Sequence, residues 1–175
     1  MKIVHVMNWY IPNMGYQENY LPAEQKKLGH DVEIVTSDRF PDYGGFKRHA
    51  GKLLGDRIVG TGIFNENDVK IHRLPCHLEV KNGGQVLLKV LKKKLRELNP
   101  EFVQAHGSFT PFTLQTILHS KRLGYKIFVD DHSNKDNLQI NSLSKIFFVS
   151  IVKISYFFYI SRVEYFMPVT YASKQ

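Results

Sequence analysis

The sequence predicts an α/β fold built on a doubly wound parallel sheet of about six to seven strands. Three observations carry this. Short runs rich in β-branched residues alternate with longer helix-like segments, which is the pattern of βα units. Most of these runs are apolar along their whole length, as strands covered by helices on both faces are. Gly29 and Gly124 stand at helix-to-strand junctions, where a left-handed residue ends a helix.

The first strand is "KIVHVM" (2–7), which empties into "NWYIPNMGYQEN", a turn holding one glycine, Gly15, before a helix at about 17–28. The phosphate-binding patterns G-x-G-x-x-G and G-x-x-x-x-G-K-[ST] are both absent from this entrance. The second strand is "DVEIVTS" (31–37). From Ser37 to Val69 the pattern dissolves into a stretch rich in Gly and in both charges, read as a variable surface insertion or, second, as an acceptor-binding loop. The third strand, "VKIHRLP" (69–75), precedes an amphipathic helix at about 84–98. Its residues Leu87, Leu91, Leu95 and Leu98 share one side, with Lys89, Lys92, Lys93 and Arg96 opposite. "EFVQAH" (101–106), a helix at 112–123 and "KIFVDD" (126–131) follow. A helix at 142–162 then leads to "EYFMPV" (164–169). That last helix is apolar on every side, yet Lys153 interrupts it and its uncharged runs fall short of the roughly 20 residues of a membrane span. It is therefore expected to pack one face on the sheet and another on a partner.

At 175 residues, with 43% hydrophobic and 23% charged, residues 1–175 form one domain. The formal charge of +8 favours an anionic partner: nucleotide phosphate, phospholipid or nucleic acid. RNP-like aromatic clusters and basic helix-turn-helix patterns are missing, so no nucleic acid is expected. One cysteine, Cys76, excludes an internal disulfide framework, and no secretory signal precedes the first strand. A cytoplasmic location follows as the expectation, with peripheral contact to an anionic membrane surface through the lysine-rich helix as a minority reading.

Ligands of open parallel sheets sit beyond the carboxyl ends of the strands, where strand order reverses. Gly15, His106 and His132 stand at such ends and are expected to converge on one crevice. Gly15 lets backbone N–H groups approach an oxygen-rich ligand, and the following helix turns its positive end there. His106 and His132 each offer a hydrogen bond or a proton relay, although a histidine at a strand end also serves as a structural hydrogen-bonder. Asp130 and Asp131 point to opposite faces, and Asp131 is the one nearer the mouth. The remaining histidines, His5, His72 and His77 among them, have no spacing that binds metal, so no metal is expected.

Two ordered sets of residues carry a family resemblance. The first is Pro12, Gly15, Glu18 and the "LGHDV" of Leu28 to Val32; the second is Asn99, Pro100, Phe102, Val103, His106, Gly107, Gly124, Asp131 and His132. With "EYFMPVTYASK" they resemble, over essentially the whole chain, the N-terminal Rossmann-like domain of the GT4-like retaining glycosyltransferases, which have the GT-B fold. Tyr16 departs from the pattern where a second glycine is usual, and Gln104 replaces the first histidine of an H-x-H pair.

The resemblance implies the acceptor-side half of an enzyme that moves a sugar from a nucleotide-sugar donor to a glycan or lipid-linked acceptor. A C-terminal domain absent from this chain would bind the donor, so the fragment is expected to be inactive alone. His106 is implied as the catalytic residue facing the transferred sugar. Gly15, Tyr16, Glu18, Gly107, Asp131 and His132 are implied as substrate contacts, with no cofactor. The competing expectation is a non-catalytic basic binding module for a membrane surface or a protein partner.

Overall fold

The computed structural model describes residues 1–41, 46, 50–80, 85–108, 110–131, 150, 153–155, 157, 158 and 161–168. Its elements are β1 (Lys2–Val6), α1 (Gln17–Lys27), β2 (Asp31–Ser37), α2 (Gly51–Leu54), β3 (Gly62–Glu66), β4 (Val69–Leu74), β5 (Cys76–Val80), β6 (Gln85–Leu88), α3 (Leu91–Leu98), β7 (Phe102–His106), α4 (Pro111–Leu123), β8 (Lys126–Asp131) and β9 (Val163–Pro168). Seven strands form one sheet in the order β3-β4-β2-β1-β7-β8-β9, parallel except for β3. The expected α/β sheet is therefore present. From β1 the chain runs outward to β2 and later returns to β7 on the other flank, which places the reversal of strand order between β1 and β7.

Alternation along the strands divides the core in two. Val4, Val6, Val35, Val103, Ala105, Ile127 and Val129 face α3 and α4, packing with Leu91, Leu95, Phe112 and Ile117. Met7, Ile34, Val69 and Ile71 face the other way and pack with Tyr10 of the entrance loop and with Ala23 of α1. Local chemistry sets the helix ends. Thr110 caps α4 by accepting from the Thr113 N–H at 3.2 Å, Pro111 follows at the first position, and Gly124 closes the helix at φ +79°. Such a cap contributes about 1 kcal/mol.

Two expectations need correction. The helix expected at 84–98 begins only at Leu91, because residues 85–88 pair antiparallel with residues 76–80 as a separate hairpin. Val86 and Leu88 alternate into the core, and Gln115 of α4 holds the strand by accepting from the Leu88 N–H and donating to its carbonyl. The stretch between Ser37 and Val69 contains β3, which pairs antiparallel with β4, and an isolated bridge joins Arg39 to Ile58. Within the expected 142–162 helix, Ser150, 153–155, 157, 158, 161 and 162 are helical and the other positions lie outside the described residues. Phe158 packs on the α3/α4 core while Ile154 and Phe157 are exposed. Among the described residues no helix is long and apolar enough to cross a membrane.

Candidate functional site

The site is a run of polar side chains beneath the α1 face of β1, β7 and β8. In register, His5 lies opposite Gln104, and His106 opposite Asp130, so all four side chains alternate to the same face. All four are buried. His5 Nδ1 lies 2.8 Å from His106 Nε2, with the rings stacked at a centroid distance of 5.1 Å. His5 Nε2 lies 2.7 Å from the side-chain oxygen of Gln25 on α1. On the other side of His106, Nδ1 stands 2.8 Å from Asp130 Oδ2, close enough for charge contact but without the alignment of a hydrogen bond. The Gln104 amide donates to the same Oδ2 at 2.8 Å. Burial, reinforced by the neighbouring His106, pushes the His5 imidazole down to a pKa of about 3, so His5 is neutral at any ordinary pH.

His106 thus ends β7 at the sheet's carboxyl edge with Nε2 within hydrogen-bond distance of His5 and Nδ1 beside the Asp130 carboxylate. Gly107, at φ +94°, makes the sharp exit from the strand; its N–H donates to the Asp130 carbonyl, and its own carbonyl accepts from Thr113 Oγ1 at 2.6 Å. A Cβ at that position would stand 3.1 Å from the Thr110 methyl group. The carboxylate beside His106 is that of Asp130; Asp131 is buried with its side chain on the α3/α4 face, as alternation requires. His132 lies outside the described residues.

The entrance loop supplies the accessible surface. Gly15, at φ +72°, and Tyr16 are exposed, while Glu18 is half-buried in the first turn of α1. The loop is braced from beneath. Asn19 accepts from the Tyr16 N–H at 3.1 Å and donates to the Ile11 carbonyl at 3.0 Å, and Glu66 of β3 accepts from the Asn13 N–H at 3.1 Å. Tyr10 is not part of the open surface. It packs against Phe64 in the core, and burial pushes its hydroxyl pKa up. Asn8 ties the loop to the hairpin, donating to Gln85 at 3.0 Å.

The structure therefore brings His106 together with His5, Gln25, Gln104 and Asp130, none of which the sequence reading places among the site residues. It sets Gly15, Tyr16 and Glu18 on a separate, accessible loop. Among the described residues no group of three or more His, Cys, Asp or Glu side chains is gathered to hold a metal ion.

Motifs that resemble those of GT4-like glycosyltransferases therefore lie on a doubly wound sheet in the order the sequence has them. No family model matches the chain. It is similar to a phosphatidylinositol N-acetylglucosaminyltransferase subunit of Arabidopsis thaliana, with 26% identity over 141 residues, 76% of this chain. The match spans 28% of the length of that relative. Among solved structures it is distantly similar to the Streptomyces sp. SF2575 glycosyltransferase SsfS6, complexed with thymidine diphosphate. There the identity is 12% and the TM-score 0.37, covering 89% of this chain and 44% of the other.

Proposed function

We propose that the chain is the N-terminal, acceptor-side half of a retaining glycosyltransferase that moves a sugar from a nucleotide-sugar donor to a glycan or lipid-linked acceptor. The observation that carries the reading is the similarity, over 76% of the chain, to part of an N-acetylglucosaminyltransferase. A further domain of the same polypeptide binds the donor, and the leaving phosphate takes the acceptor proton in a front-face step that needs no metal. In this reading the exposed Gly15–Tyr16 loop meets the acceptor. His106, at the carboxyl edge of β7, orients the transferred sugar, with Asp131 and His132 next in sequence after Asp130 as further substrate contacts. The enzyme works in the cytoplasm, at the face of an anionic membrane.

The test is transfer by the full-length protein against a panel of nucleotide sugars, with the anomeric configuration of the product read by proton NMR. The expected result is a product that keeps the donor's configuration, and no product from residues 1–175 alone. Turnover by residues 1–175 alone would sink the two-half account, and an inverted product would sink the mechanism. Vesicle binding without any transfer would favour the basic binding module.

A further inference from the structure

Near the entrance loop one cation lacks a counter-charge among the described residues. Arg73 stands one residue before the carboxyl end of β4, on the face it shares with Val69 and Ile71, which is the α1 face. Its guanidinium carbon lies 4.5 Å from the centre of the Phe64 ring and 5.7 Å from that of Phe40. Phe64 in turn packs against Tyr10 of the entrance loop. Ring contacts of this kind occupy the flat faces of a guanidinium and leave its five N–H donors at the edge. Burial alone acts on the group, lowering its pKa, with neither a hydrogen bond nor a carboxylate pushing back.

The other arginines of this flank are settled differently. Arg39 and Arg57 are both held by Glu79, and Arg39 also by Asp38. Glu66, the carboxylate that shares a face of β3 with Phe64, is turned to the entrance loop, where it accepts from the Asn13 N–H. Thr36, the register partner of Arg73 on β2, is wholly buried, and its hydroxyl has no hydrogen-bond partner. On the opposite flank the register partner is Gly62, which is exposed, and a Cβ built there would meet nothing within 4 Å. The fold thus takes a guanidinium part of the way out of water, sets no anion beside it, and leaves its β3 side open.

We infer that Arg73 is the contact for an oxyanion, a phosphate or carboxylate group of the acceptor, received from the Gly62 side against Phe40 and Phe64. The edge of a guanidinium meets two oxygens of such a group with parallel N–H bonds, a match that a point-like ammonium lacks. Three strand spacings, about 14 Å, separate β4 from β7. A group held at Arg73 is therefore remote from His106, which assigns it to the acceptor and not to the transferred sugar. That assignment rests on the transferase reading; oxyanion binding at Arg73 does not.

The test follows the Arg73 Nε–H signal, identified by its proximity to the Phe64 ring protons, in proton–nitrogen spectra of the 15N-labelled 175-residue chain. Inorganic phosphate, acetate or chloride is added at matched ionic strength. Phosphate or acetate should shift the signal saturably and chloride should not, and the tighter of the two names the group. No saturable shift with either, or the same shift with chloride, overturns the inference. Arg73→Lys keeps a cation near the rings but loses the fork, so it should weaken binding about 10- to 100-fold, read at the Gly62 amide. An unchanged affinity overturns the inference, and if Arg73→Lys does not fold, the titration of the parent decides alone. In the full-length enzyme the same substitution should raise the acceptor KM and leave the donor KM unchanged. Binding at Arg73 without any sugar transfer would sink the transferase reading alone, and transfer with an unaltered acceptor KM would sink this inference alone.

Discussion

The two faces of one sheet have been built from interleaved residues for opposite purposes. On the α3/α4 face, Val4, Val6, Val103, Ala105 and Val129 present a continuous aliphatic surface to Leu91, Leu95, Phe112 and Ile117. Their immediate neighbours His5, Gln104, His106 and Asp130 turn the α1 face of the same strands into a polar row. The aliphatic face is not free of charge, since Lys2, Glu33 and His72 form a group on it. There the carboxylate is partnered: burial pushes the Glu33 carboxyl up, but hydrogen bonds from Lys2 and His72 outweigh it and hold it below its ordinary range. The lesson is one of division of labour within a strand. Volume and contact stabilise one side, while the other gives up stability to hold groups where water does not reach them.

Four measurements sharpen or break that contrast. Phe112, fully buried on the aliphatic side, should show the largest effect. Phe112→Ala is expected to lower the unfolding free energy by about 3–5 kcal/mol in urea titration, through lost transfer energy and the cavity left behind. On the polar side, Asp130→Leu removes the acceptor shared by Gln104 and the His106 contact, with an expected cost of about 1–3 kcal/mol for each group left unsatisfied. A variant as stable as the parent would show that the polar row is not held by this carboxylate.

The third measurement uses pH. His5 takes up its proton near 6.5 in the unfolded chain but only at about 3 in the fold. Between those values the unfolded chain binds more protons, so stability falls as pH falls, by up to about 1.4 kcal/mol per pH unit. His119, lowered by burial and by Lys92 and Arg122, pushes in the same direction. The informative quantity is therefore the difference between parent and His5→Asn: the variant should lose stability less steeply from pH 6 to 4, and equal slopes would contradict the burial of a neutral His5.

The smallest effect belongs to neither face. Val90, a β-branched residue at φ +57°, makes the turn between β6 and α3 with its side chain largely exposed. Val90→Gly relieves a left-handed backbone that costs an L-residue roughly 1–2 kcal/mol, less the entropy glycine adds to the unfolded chain. The net expectation is a gain of a few tenths of a kcal/mol, read as a slightly higher Tm.

How much of this was legible in the sequence depends on which forces act locally. The sheet strands at 2–6, 31–37, 69–74, 102–106 and 126–131 were readable because a strand buried on both faces must be apolar, and the junction glycines follow from backbone geometry alone. The hairpin at 76–88 was not, because the leucines at 87, 88 and 91 also fit a helical stripe. What decides for a strand is Gln115, on a helix more than twenty residues later, bonding to the backbone of Leu88. The place of His106 at the end of a strand was readable. Its partners His5 and Gln25 were not, since a histidine inside "KIVHV" gives no sign of its partner until the β1–β7 register is known. The signal that was present is the polarity itself: a histidine in a doubly covered strand needs an acceptor or donor from somewhere.

The row from Gln25 through His5 and His106 to Asp130 draws on one helix and three strands. Its members therefore constrain one another's replacement over generations. A drift at position 5 to an aliphatic residue would strand Gln25 and His106 together, so single steps away from this set pass through a handicapped intermediate and paired steps do not. Related sequences should accordingly fall into two groups, those that keep all four and those that have exchanged His5 and Gln25 jointly, and mixed combinations should be sparse.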